Sequence, residues 1–129
     1  MVSNIKGAAS LAAFAFVRGG KVKTVYIAHP FRSNPEQNLR DVMKFIKLAV
    51  ENGYLPLCAV PVFGPLYGQL DEETVMEMCF KMIDIAQEVW MCGEWMHSEG
   101  CLKELEYARN NGKEIYFIGV GYGESISGG

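Results

Sequence analysis

The stretch HSEGCLKELEYARNNGK, residues 97–113, places a serine, a glycine and a glutamate around the start of a helix. Ser98 is positioned to cap that helix. Its hydroxyl takes a backbone N–H, or shares the helix start with an anion. Gly100 has no Cβ, so a ligand or a neighbouring strand can come close to its backbone. At about 3.6 residues per turn, Cys101, Leu105 and Ala108 form the centre of a buried face, and Lys103, Glu106 and Asn110 group on the opposite side. Glu104 falls at the border, about a quarter turn from the apolar centre, with Tyr107 beside it. Two readings of Glu104 are open at this point. It is a carboxylate at the rim of a pocket, or an exposed boundary residue paired with Lys103 or Arg109.

A second group of chemically capable residues follows the run KTVYIAH, residues 23–29. Arg32 is suited to hold a phosphate or carboxylate through two parallel hydrogen bonds. His29 is suited to donate to a substrate oxygen. The ordinary alternatives are a solvated arginine and a loop histidine satisfied by backbone. Tyr26 lies inside the run, where core packing with a satisfied hydroxyl is the plain reading. The four cysteines, Cys58, Cys79, Cys92 and Cys101, form no C-x-x-C pair and sit in apolar runs, as buried reduced thiols do. Only His29 and His97 are available to help them bind zinc, so neither a metal nor a cofactor is expected.

Positioning these residues requires alternating strands and helices. Residues 23–29 are β-branched and aromatic, as a buried strand is. Asn34 caps a helix with Pro35 at its first position, Leu39, Val42, Met43, Ile46, Ala49 and Val50 on one face, and Gly53 at its end. Residues 54–60 read as a second strand and 61–70 as a loop rich in Gly, Pro and aromatics. Asp71 caps the next helix, which carries Glu72 and Glu73 in its first turn and turns Val75, Met76, Cys79, Met82, Ile83 and Ala86 inward. Residues 88–93 and 114–120 read as strands flanking a helix over 98–111. This alternation predicts an α/β fold, a Rossmann-like or flavodoxin-like parallel sheet of four to five strands with helices on both faces. In such a sheet, ligands bind beyond the carboxyl ends of the strands. The loops at 29–33, 61–70 and 93–100 converge there.

Bulk properties narrow the partners. The chain has 129 residues, enough for one core, and a formal net charge of −3. Its lysines and arginines are scattered among acids, which excludes a nucleic-acid stripe and leaves room for a small anionic ligand. The apolar run at residues 8–17 is far shorter than the roughly 20 residues of a membrane span. No clear cleavage site follows it, so no membrane partner and a cytoplasmic location are expected. Residues 1–21 form an extension (an extra strand, a contact segment or disorder), residues 22–121 a domain, and residues 122–129 a loose tail.

Together, VYIAHPFRSN in the first strand and loop and SEGCLKELEYA in the last long helix resemble the nucleoside 2-deoxyribosyltransferase-like superfamily. Its members carry an aromatic-rich first strand and the pattern [D/S]-x-G-x-x-x-E-x-x-x-A, matched here by Ser98, Gly100, Glu104 and Ala108. Trp95 before S-x-G is similar to phage and bacterial domains of that superfamily. The resemblance implies that Glu104 is a nucleophile attacking C1′ of a nucleoside or nucleotide and that Tyr26 orients it. It further implies a substrate site including His29, Arg32, Ser98 and Gly100. Ser98 and Arg32 match the branch that hydrolyses nucleoside 5′-monophosphates, so a 5′-phosphate on the substrate is the expectation. A homo-oligomer is also implied, because members often complete the pocket with a neighbouring subunit. Two departures stand out. Phe80 occupies the register of a leaving-base aspartate, with Asp84 one turn on, and His29-Pro30 replaces a glycine-rich turn. They keep alive a non-catalytic module that binds a nucleotide or nucleotide signal. A third reading is a subunit acting through assembly by its apolar N-terminal segment.

Overall fold

Asn34 and Pro35 open the first helix as their chemistry requires. The structure, a computed structural model, describes residues 21–118. In it β1 (Lys23–Ala28) leads to α1 (Pro35–Glu51). The Asn34 side chain accepts from the Gln37 backbone N–H, and Pro35 takes the first helical position, where no helical bond is lost. Gly53, at φ 84°, then turns the chain into β2 (Tyr54–Leu57). The inward face of α1 differs from the expectation in part. Val42 and Ala49 are buried and Leu39 and Ile46 pack partly, but Met43 and Val50 are about half exposed and Phe45 and Leu48 take their place. The helix carries two overlapping apolar stripes, and the one holding an aromatic ring, with more area to bury, turns inward.

The second strand is shorter than the apolar run 54–60 suggested. It pairs with β1 only as far as Leu57, opposite Tyr26. Residues 59–63, expected as strand end and loop, form α2 (Ala59–Phe63) and run into a single 3-10 turn at Gly64–Leu66. Pro61 does not oppose this helix, because it sits within the first turn, where backbone N–H groups have no helical partner. Helix α3 (Glu72–Ile85) is capped by Asp71, which accepts from the Thr74 N–H at 2.9 Å and its hydroxyl at 3.1 Å. Lys113 closes the other end, donating to the carbonyls of Asp84 and Ala86. The chain continues through β3 (Glu88–Cys92), a 3-10 turn at Trp95–His97, α4 (Glu99–Asn110) and β4 (Glu114–Ile118). Residues 119 and 120, expected to extend β4, lie outside the described residues, as do the tail and all but the last residue of the expected N-terminal extension.

The four strands form one parallel sheet in the order β2-β1-β3-β4. Side chains alternate across it. Val25, Ile27, Trp90, Cys92 and Ile118 pack with Val42 and Ala49 of α1 on one face. Tyr26, Ala28, Val89, Met91 and Phe117 pack with α3 and α4 on the other. The expected α/β architecture, helices on both faces included, is the one observed. Because β1 and β3 are neighbours while their following connections lead to opposite edges, the switch point of the sheet lies between their carboxyl ends. At the far end of the sheet Glu88 is buried, and it is compensated there by Lys23 at 3.1 Å, with Trp90 Nε1 and the Tyr54 hydroxyl also donating. Among the described residues no helix is long and apolar enough to cross a membrane.

Candidate active site

A cleft of about 1330 Å³ opens beyond the carboxyl ends of β1 and β3. The three loops expected to converge do so: His29 to Ser33, the 61–70 region and the segment from Gly93 to Gly100 all contribute to its lining. Its floor is made by Tyr26, Cys79, Cys101 and Glu104. Glu104 is buried, with 6% of its surface exposed. This corrects the placement at a helix border. α4 is covered by α3 as well as by the sheet, so its buried arc is wide enough to include Cys101, Glu104, Leu105 and Ala108. No pairing with Lys103 or Arg109 holds Glu104. Its partner is the hydroxyl of Tyr26, which donates to Oε2 at 2.6 Å. The meeting follows from strand periodicity: Tyr26 faces α3 and α4, whereas Val25 and Ile27 face α1.

Burial sets the electrostatics of this pair. It raises the Glu104 pKa from 4.5 to about 7, while hydrogen bonds from Tyr26 and Cys79 pull the other way. Tyr26 is pushed well above its ordinary value, first by burial and then by the Glu104 charge, so it remains a donor throughout the physiological range. The thiols of Cys58 and Cys79 are pushed up to about 12 by burial and stay protonated, and Cys101 moves the same way. All four cysteines are free and buried. Among the described residues no group of three His, Cys, Asp or Glu is arranged to hold a metal ion.

The other candidate residues divide. Ser98 caps α4, its hydroxyl accepting from the Cys101 N–H at 3.2 Å. A Cβ on Gly100 would meet nothing closer than 3.5 Å, so protein packing does not demand a glycine there, and the open space belongs to the cleft. Arg32 lines the cleft but is joined to Glu72 at 2.9 Å. Both side chains are largely exposed, and such a pair is worth little and is readily exchanged. His29 spends its Nδ1 on the Pro30 carbonyl at 2.8 Å, which leaves Nε2 alone to meet a substrate. Phe80 and Asp84 lie outside the cleft lining. Phe80 stacks on Tyr107, whose hydroxyl donates to Asp84. Two features escaped the sequence reading. Gly93, at φ 66°, makes room for His29, and a glycine directly after a buried strand was the available signal. Phe31 and Tyr67 meet edge to face at the mouth of the cleft, with Gly64 packed against Phe31.

Residues 23–118 match the family described as a domain of unknown function, DUF7768. The chain belongs to that family. The matched range starts with β1 and ends with β4, so it contains every element that lines the cleft. No curated protein matches the chain. Among solved structures the chain is similar to the 2-desoxiribosyltransferase from Leishmania mexicana, at 22% identity and a TM-score of 0.49, over 75% of this chain. The chain spans 64% of the length of that enzyme, and at this identity the likeness is one of fold alone.

Proposed function

We propose that the chain breaks or transfers the N-glycosidic bond of a nucleoside or nucleotide, with Glu104 as nucleophile and Tyr26 as the residue that orients it. The observation that carries this reading is one buried carboxylate on the floor of a large cleft, seated on a tyrosine hydroxyl at 2.6 Å and poised by burial near neutrality. A carboxylate is costly to bury, and a perturbed one facing a cleft is the kind of group that enzymes use. In the proposed reaction an ionised Glu104 oxygen forms a bond to C1′ as the C1′–N bond breaks. The electron pair leaves with the base, which takes a proton from water. Water or a second base then opens the glycosyl ester and returns the carboxylate. Arg32, Ser98 and Gly100 fit a substrate-binding role from their places on the lining. A neighbouring copy covering the apolar mouth at Leu66, Tyr67 and Leu70 is part of the proposal.

The test is to incubate the protein with deoxynucleosides and their 5′-monophosphates, with and without a free acceptor base, beside Glu104→Gln. Base release that the variant loses supports the reading, and dependence on the acceptor separates transfer from hydrolysis. No release from any substrate sinks it. A second reading, a module that binds a nucleotide without cleaving it, is favoured by one observation. The register of the leaving-base aspartate holds Phe80, stacked on Tyr107 away from the cleft. That reading expects thermal stabilisation by a nucleotide that is recovered intact.

A further inference from the structure

His29 follows the last residue of β1 and lies against Gly93, the first residue after β3, at the switch point of the sheet. Only 7% of its surface is exposed. A carbonyl oxygen can only accept, so the 2.8 Å contact with Pro30 requires the proton on Nδ1. A neutral imidazole carries one N–H, which leaves Nε2 with a bare lone pair. Burial supports the neutral form by lowering the ring's pKa, with the Pro30 hydrogen bond and then Asp41 opposing in part. Nε2 has no partner among the described residues, and the ring lines the cleft. It occupies its place only because residue 93 is glycine: a Cβ there would lie 2.9 Å from Nε2. Nε2 is not one of the buried atoms left without a partner, so it opens on the cleft, where a donor from a ligand can take the place of water.

We propose that His29 Nε2 accepts a hydrogen bond from a sugar hydroxyl of the ligand and makes this part of the cleft a hydroxyl-reading subsite that rejects a phosphate ester. The identity of the ligand rests on the proposed function; the acceptor itself does not. As long as the ring is neutral, an ionised phosphate oxygen would set lone pair against lone pair at Nε2. The surroundings agree, since Asp41, Glu72, Glu94 and Glu99 line the same cleft and outnumber its two cations, Arg32 and Lys44.

Calorimetric binding to the full chain tests this. The ligands are a 2′-deoxynucleoside, its 3′-deoxy and 5′-deoxy analogues and its 5′-monophosphate, and their integrity is checked by chromatography afterwards. Removing one hydroxyl is expected to weaken binding to the native chain about tenfold and to make no difference in His29→Phe. The inference is overturned if the variant keeps the same loss for every hydroxyl, if phosphorylating the hydroxyl that is read leaves affinity unchanged, or if no member of the panel binds. ¹⁵N NMR of the native histidines adds a measurement that no variant has to survive: Nδ1 of His29 should carry the proton, and a proton on Nε2 refutes the proposal. Hydroxyl-dependent binding without base release would sink the glycosidic reading alone.

Discussion

Replacing Glu104 by glutamine should stabilise the protein in a pH-dependent way. Its folded-state pKa, about 7, lies above the ordinary 4.5 because burial disfavours the charge. The folded state therefore binds the proton more tightly than the unfolded chain. Stability associated with Glu104 is fully present below pH 4.5, falls as pH rises, and is lost once pH passes about 7. A raised pKa of this size, at about 1.4 kcal/mol per pH unit, amounts to roughly 3 kcal/mol. Glutamine is nearly isosteric, cannot ionise, and still accepts from Tyr26. Urea unfolding of both proteins at about pH 4 and about pH 9 isolates the effect, because every other titrating group is common to the two. The variant should gain about 3 kcal/mol on the native chain between those conditions. An equal difference at both pH values would refute the claim that an ionised Glu104 is held at a cost.

If Glu104 is the nucleophile, base release should rise with pH and level off above about 7, since only the ionised form attacks. A rate that falls over that range would exclude this role. Glu72→Gln should free Arg32 and tighten binding of a nucleoside 5′-monophosphate severalfold while leaving the parent nucleoside unchanged. An equal change for both ligands would mean that Arg32 does not meet the phosphate. Gly93→Ala should lower unfolding stability by about 1–2 kcal/mol, from a left-handed backbone and contact with His29, and should shift the His29 ring resonances. Unmoved His29 resonances would show that the glycine does not shape that ring's site.

The parts of the fold that were legible in the sequence are those governed by near neighbours. Asn34, Asp71 and Ser98 cap the helices they were expected to cap, because each side chain accepts from an N–H three residues on. The parallel sheet followed from alternation alone. The unreadable parts depend on distant contacts. Residues 58–60 look like strand, yet where β2 stops is decided by its pairing with β1. Glu104 looks like a boundary residue until α3 is laid beside α4. Glu88 reads as the polar start of a strand, but Lys23, Tyr54 and Trp90 gather round it from far along the chain or along its own strand. His29 was found from its place after β1, but its role as acceptor needed the Pro30 carbonyl and the gap at Gly93.

Tyr26 sits in the middle of the sheet, paired with Leu57 on one side and Val89 on the other. Its amide therefore exchanges with solvent only when the whole sheet opens, whereas Arg32 and Ser33, past the end of the ladder, exchange through local opening. The cleft joins a slow-exchanging base to a fast-exchanging rim. Changes at residues 31–33 and 62–70 can alter which ligand enters while the seat beneath Glu104 keeps its geometry, so this scaffold is able to diversify in what it admits faster than in what its floor can do.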